Sequence, residues 1–371
     1  MARKARRKQP ALAIERSGHL FAGGRIDRSV EGSPMVGQMY AEFWIPKTLL
    51  SPYPVVMIHG NWQTGTNFTG TPDGREGWAQ YFLRRGHAVY VVDQVARGRS
   101  AHWSQSQGAV GTADLDRLQY RFVAPKRFNR WPQAKRHTQW PGTGKPGDKA
   151  FDAFYASQFQ SLSSNEKSQE INRDAAVALL DEIGPAIVLT HSQSGAYGWL
   201  IADARPKLVK ALVSIEPNGP PVYETGLKGA PYWFEDIGPR KPYGLGFVPM
   251  TYDPPLKRGQ ELKFVRQDTP DAPNLVRGWL QQEPARTLPN LAKVPVLIVV
   301  GEASYHATYD HMTAAYLAQA GVPTTFIRLE DIGIRGNGHM MMLEKNSDVI
   351  AGVILAWVEK TLRPRKKRKK R

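Results

Sequence analysis

Cysteine is absent from all 371 residues, which excludes disulfides, thiolate metal sites and a cysteine nucleophile. Long apolar runs are also missing. The longest strand-like stretch, VPVLIVVG, is under half of the ~20 residues that cross a bilayer, so no membrane span is expected. The basic start, MARKARRKQPALAIERSG, lacks the ~7–15-residue apolar segment of a secretory signal, and as written the chain reads as cytoplasmic. Acids are lacking at both ends. Of the net charge of +17, thirteen charges fall in residues 1–10 and 363–371, where no Asp or Glu occurs, leaving +4 for everything between. Runs of like charge repel and stay solvated, so residues 1–11 and 363–371 are expected to be basic arms outside the fold. Nucleic acid is expected as a partner only through these arms.

Between them, residues 12–362 carry the pattern of one folded domain. HLFAGGRI and VGQMYAEFWIP alternate apolar and polar residues around glycine turns, as antiparallel strands do. Six nearly continuous apolar runs follow: YPVVMIHG, HAVYVVDQ, AIVLTHS, ALVSIEP, VPVLIVVGE and TTFIRLED. Such runs suit parallel strands covered on both faces. GREGWAQYFLRRG, QEINRDAAVALLDEIG and SDVIAGVILAWVEKTL have helical periodicity, the last with Ser347-Asp348 as its expected N-cap and Val349, Ile350, Val353, Ile354 and Trp357 as its apolar stripe. The alternation predicts an α/β fold: a mainly parallel central sheet with helices on both faces. Stretches rich in Pro, Gly and aromatics at about 101–168 and 218–290 are too long for plain loops and are expected to be cap or lid insertions. GTGKPG is not a phosphate loop, because Pro146 stands where Ser or Thr is required and no strand leads into it.

The chemistry concentrates in AIVLTHSQSGAYGWL. A strand turning sharply into a helix can expose a serine nucleophile if the residues two before and two after it are small. Ser192 has Thr190 and Ser194 at those places; Ser194 would have Ser192 and Ala196, with bulky Tyr197 next. The Ser192 register ends the apolar strand at Thr190 and is preferred. Such a serine needs a base, and His339 in RGNGHMMM lies after the last strand and before the last helix, on a glycine-flanked loop. Backbone N–H groups would hold the oxyanion: Asn61 or Trp62 after the strand ending in His59-Gly60, and Gln193 directly after the nucleophile.

With these features, the chain resembles the α/β-hydrolase superfamily from about Gly18 to Leu362. TPDGREGWAQYF, VVDQVARGRS, LTHSQSGAYGW, SIEPNGPP and GNGHMMMLEKN are similar to a group of bacterial serine carboxylesterases whose triad acid is a glutamate after strand six. The resemblance implies Ser192 as nucleophile, Glu216 as acid and His339 as base, and it leaves an exported form open. Some members have paired cysteines after the His-Gly turn, where this chain has Asn61-Trp62. The residues themselves favour the unusual acid. In VVGEASYHATYD, Ser304 stands about where an aspartate after strand seven would be expected, and Asp310 lies too far along without a loop excursion. Arg97 and Arg99 in ARGRS are read as a structural turn without chemistry.

The expected activity is cleavage of carboxylic esters through an acyl-enzyme, on a small-molecule substrate and without cofactor or metal. An amidase or a carbamate-cleaving hydrolase on the same triad is the enzymatic alternative. RFVAPKRFNRWPQAKRH interleaves cations with aromatics as single-strand binding grooves do, so a nucleic-acid-associated protein on a relic hydrolase fold is the reading from another class. Monomer and oligomer are both open.

Overall fold

Strands covered on both faces of a sheet read as nearly continuous apolar runs, and the six runs are all strands of one sheet, the last of them a partly exposed edge. They form β3 (Val55–Ile58), β4 (Val89–Asp93), β5 (Ala186–His191), β6 (Val209–Ile215), β7 (Val296–Val300) and β8 (Thr324–Arg328) of an eight-stranded sheet. The alternating N-terminal segments supply β1 (Ile14–Ile26) and β2 (Met35–Pro46), an antiparallel pair. Strand order is β1-β2-β4-β3-β5-β6-β7-β8, with β2 antiparallel to β4 and every later pairing parallel. The computed structural model describes residues 10–363, so the expected basic arms lie outside the described residues except for residues 10, 11 and 363.

Side chains of one strand point alternately to two cores. Val55, Met57, Leu297 and Val299 pack on the face covered by α1 (Trp78–Leu83) and α5 (Ser347–Leu362). Val56, Ile58, Val296 and Ile298 pack on the opposite face, against α2 (Asn165–Ile183) and α3 (Ser194–Ala204). Each of these eight side chains is at most 2% exposed, and burying one contributes roughly 1.5–3 kcal/mol. Helix α2 starts where the Ser164 hydroxyl accepts from Lys167 N–H at 3.1 Å, a cap that contributes about 1 kcal/mol, and it presents Ala175, Ala176, Leu179 and Leu180 to the core. The register aligns Ile58 with Thr190, His191 with Ile215 and Ile215 with Val299. The carboxyl ends of β3, β5, β6 and β7 therefore share one edge, where open α/β sheets bind ligands.

The last helix departs from expectation. Its N-cap is Asn346, without a side-chain cap bond, because the Ser347 hydroxyl is buried and accepts from Arg75 Nη1 at 3.0 Å. The buried face is Ile350, Ala351, Ile354, Leu355 and Val358, and Val349 is exposed. Within residues 101–164 the elements are short, and Trp131, Trp140, Phe151 and Phe154 are buried in the core shared with β3 and β7. Two small ribbons, Glu224–Leu227 with Phe234–Ile237 and Phe264–Arg266 with Trp279–Gln281, lie within residues 218–290. Most of the aromatics thus pack internally, whereas Trp103 and Tyr232 face solvent.

Candidate active site

Three non-glycine residues at this edge have positive φ: Trp62 (60°), Ser192 (55°) and Glu216 (46°). The left-handed region costs an L-residue about 1–3 kcal/mol, so such conformations persist only where surrounding bonds impose them. At Ser192 the ladder does so: its N–H donates to Ile215 O at 3.0 Å, and its C=O accepts from Gly195 N–H at 2.8 Å. The strand stops and the helix begins within two residues. A β-carbon at Gly195 would fall 2.5 Å from Pro217, so only glycine lets α3 approach the chain beyond Glu216. The neighbouring Ser194 is fully buried, and its hydroxyl accepts from His191 N–H at 2.9 Å and bonds the carbonyls of Ile58 and His191 at 2.8 and 3.0 Å. It fastens β3 to β5 and is closed to chemistry.

Glu216 follows β6, and its N–H extends the ladder to Val299 O at 3.0 Å. Its carboxylate receives three donors: Gly301 N–H at 2.8 Å, the Ser304 hydroxyl at 2.6 Å and His339 Nδ1 at 2.6 Å. The alternatives on β7's side are occupied elsewhere. Glu302 holds Arg335 and the Gly336 N–H, and buried Asp310 accepts from His306 Nδ1 at 2.9 Å. With Nδ1 donating to Glu216, neutral His339 keeps Nε2 bare. Among the described residues, the group on Nε2 is the Tyr305 hydroxyl, at 3.3 Å; Ser192 Oγ is not hydrogen-bonded to it. Proton-transfer contacts commonly tighten only when substrate binds.

Residues 55–353 match the model of a family described as the alpha/beta hydrolase family. The chain belongs to that family. The hydrolase is 47% identical over 328 residues to a protein named "Probable secreted lipase phiG" from a fungus (Fungal sp., strain ATCC 74256), covering 87% of this chain and 86% of that one. Its fold matches a solved structure titled "The Atomic Resolution Structure of a Novel Bacterial Esterase", with a TM-score of 0.64 and 24% identity, over 96% of this chain and 99% of the other.

Of the three oxyanion candidates in this α/β hydrolase, Trp62 is engaged elsewhere. Its N–H donates to Ser161 Oγ at 3.0 Å and to Asn61 Oδ1 at 3.1 Å, because the positive φ turns the peptide toward the 161–162 strand. Among the described residues, none accepts from the N–H of Asn61 or Gln193. Arg97, expected to be part of a structural turn, ties these two loops together. Its buried guanidinium donates to Gly60 O at 2.8 Å and to Gln193 Oε1 at 3.2 Å. Burial lowers its pKa to about 10, so it remains cationic at neutral pH. Buried Glu344 fixes the loop that carries His339, accepting from Gly338 N–H at 2.9 Å and Asn337 Nδ2 at 2.7 Å and meeting His137 Nε2 at 2.7 Å.

His339 is wholly buried between Phe122, stacked at 5.1 Å, and His306, stacked at 4.8 Å, with the His191 ring 4.5 Å away. Burial holds its imidazole well below the ordinary histidine range, and His191, His306 and Arg121 add to the effect. Burial likewise pushes the Glu216 carboxyl up to about 8, while His306, Ser304 and Gly301 pull it back. The two groups titrate as a pair, and with the Gly301 N–H and the Ser304 O–H both donating to the same carboxylate, the bonds fit an ionised Glu216 facing Nδ1–H. Glu216, His306 and His339 each bring one donor atom within 4.8 Å of the others, as a metal cluster would, but the Glu216–His339 and His306–Asp310 hydrogen bonds already engage them. Neither Phe122, inside the insertion, nor the Tyr305-His306 pair carries a local sequence signal. Only the position just past β7 singles the latter out.

Proposed function

We propose that this α/β hydrolase cleaves carboxylic esters through an acyl-enzyme formed on Ser192. The observation that carries the reading is Ser192 at φ 55° between a buried strand and its helix, at the edge where Glu216 binds His339 at 2.6 Å. The names of the fungal lipase and the bacterial esterase support ester cleavage as the reaction class. Ser192 Oγ attacks the carbonyl carbon as its proton passes to His339 Nε2. Glu216 stabilises the resulting imidazolium, and the N–H groups of Asn61 and Gln193 hold the oxyanion at about 3–4 kcal/mol per donor. The bond to the alcohol oxygen then breaks as Nε2–H protonates that oxygen. Water repeats the sequence on the acyl-serine. The fungal relative is named as secreted, which agrees with an exported form of this chain, and no described helix is long and apolar enough to cross a membrane.

The test is covalent labelling. A fluorophosphonate should add one phosphonyl group, located by peptide mass at Ser192, and abolish hydrolysis of p-nitrophenyl acetate. Ser192→Ala should neither label nor turn over. Label on another residue, or turnover surviving in Ser192→Ala, would overturn the reading.

A further inference from the structure

The residue that occupies His339 Nε2 belongs to neither the nucleophile, the acid nor the oxyanion loops. Tyr305 opens a short turn after β7, directly behind Ser304, which donates to Glu216. Its hydroxyl lies 3.3 Å from Nε2. The ring is 6% exposed and is held edge-on by Trp131 at 5.9 Å, with His306 at 4.5 Å and the Arg121 guanidinium 5.1 Å from its centroid. Burial raises the phenol further above its already high pKa, so it keeps its proton. Because Nδ1 already donates to Glu216, Nε2 of the neutral imidazole can only accept. Tyr305 is therefore the donor in that contact.

We propose that Tyr305 is a further catalytic residue of the ester cleavage described above, donating a hydrogen bond to the leaving alcohol oxygen. The inference rests on Ser192 and His339 acting as proposed. When Ser192 attacks, its proton fills the Nε2 lone pair, and the Tyr305 O–H loses its acceptor. Collapse of the tetrahedral intermediate then creates negative charge on the departing oxygen, which must sit against Nε2–H to take that proton. The Tyr305 O–H is already beside that nitrogen and can turn to the new acceptor. Throughout, the C–O bond to the alcohol breaks, the alkoxide takes the proton from Nε2, and Tyr305 retains its own. The contribution grows with the charge on the leaving oxygen, so it is largest for alkoxides and smallest for phenolates that already delocalise their charge.

The test is a leaving-group series. For acetate esters of p-nitrophenol, phenol, trifluoroethanol and ethanol, kcat/KM is compared between the full chain and Tyr305→Phe, which keeps the ring. The ethyl ester should lose about 10²-fold, as removal of one donor to developing charge does. The p-nitrophenyl ester should stay within about threefold, so the dependence on leaving-group pKa steepens. An equal loss on all four esters, or no loss on any, overturns the proposal while leaving the Ser192 mechanism intact. Activity surviving in Ser192→Ala would instead remove the mechanism beneath it. If Tyr305→Phe does not fold, difluorotyrosine at position 305 replaces it: a more acidic phenol should speed the ethyl ester relative to the p-nitrophenyl ester, and the reverse order overturns the proposal.

Discussion

Glu216 Oε2 lies 2.6 Å from His339 Nδ1, although 123 positions separate the two residues in the chain. The contact fixes which tautomer His339 adopts and which carboxylate steadies it. Glu216→Gln keeps the shape and removes the charge, so kcat should fall by about two to four orders of magnitude with little change in KM. Asp310→Asn and Glu302→Gln should each cost less than about tenfold, since neither touches His339. Steady-state kinetics on one ester decides the matter. A crippling Asp310→Asn beside a mild Glu216→Gln would place the acid after β7.

The two serines of the elbow should separate activity from stability. Ser192→Ala should abolish turnover and leave the urea midpoint nearly unchanged. Ser194→Ala strips the His191 N–H and the carbonyls of Ile58 and His191 of a buried partner, which costs about 1–3 kcal/mol. Its kcat should stay within about tenfold once the protein is folded. Chemical denaturation and kinetics on both variants check this, and the opposite ranking would mean that the strand runs on to Ser192.

Arg97 braces the two loops that offer free N–H groups, through Gly60 O and Gln193 Oε1. A lysine has no planar fork to reach both acceptors, so Arg97→Lys should not substitute for it. Misplacing the donors by about 1 Å costs on the order of 10²-fold, and the loss should appear in kcat rather than KM. An Arg97→Lys enzyme with full kcat would reduce Arg97 to a bystander.

Acid should destabilise this fold before ordinary carboxylates titrate. Burial lowers the pKa of His59 and of His191 to about 3 in the folded state, against 6.5 when unfolded. Below pH 6.5 the unfolded chain gains a proton at each of these sites and the folded chain does not. Stability is therefore complete above pH 6.5 and falls as the pH drops, by about 1.4 kcal/mol per histidine per pH unit. His339 and His306 do not add a simple histidine share, because each faces a carboxyl, Glu216 or Asp310, whose own proton affinity burial raises. Urea midpoints between pH 6.5 and 5 should decline, His311 and His87, whose pKa burial also lowers, adding to the slope, and His191→Gln should make the decline shallower by one histidine's share. A flat profile across that window would show that these histidines are protonated in the native state.

Much of the scaffold was legible in the chain. Six apolar runs became β3 to β8 because burial on both faces leaves little room for polar residues, a constraint that acts within each segment and relaxes at β8, the partly exposed edge strand. The elbow was legible for the same reason: Ala186–His191 is buried throughout, small residues follow, and the helix starts at Ser194. Local periodicity was less reliable on α5, where Arg75, 272 positions away, claimed the Ser347 hydroxyl expected to cap the helix.

By itself the sequence determined the strands, the order of Ser192, Glu216 and His339 along the chain, and the small residues that allow a sharp turn at Ser192, since each is read from the chain alone. Tertiary structure alone decided that Trp62 N–H turns to Ser161, that Arg97 spans two loops, that Phe122 and His306 sandwich His339, and that Tyr305 meets Nε2. Those contacts depend on which strands lie side by side. β3 pairs with β5 although β4 lies between them in the chain, and β6 pairs with β7 across residues 216–295, so their carboxyl ends, and the residues just past them, meet only once the sheet has formed.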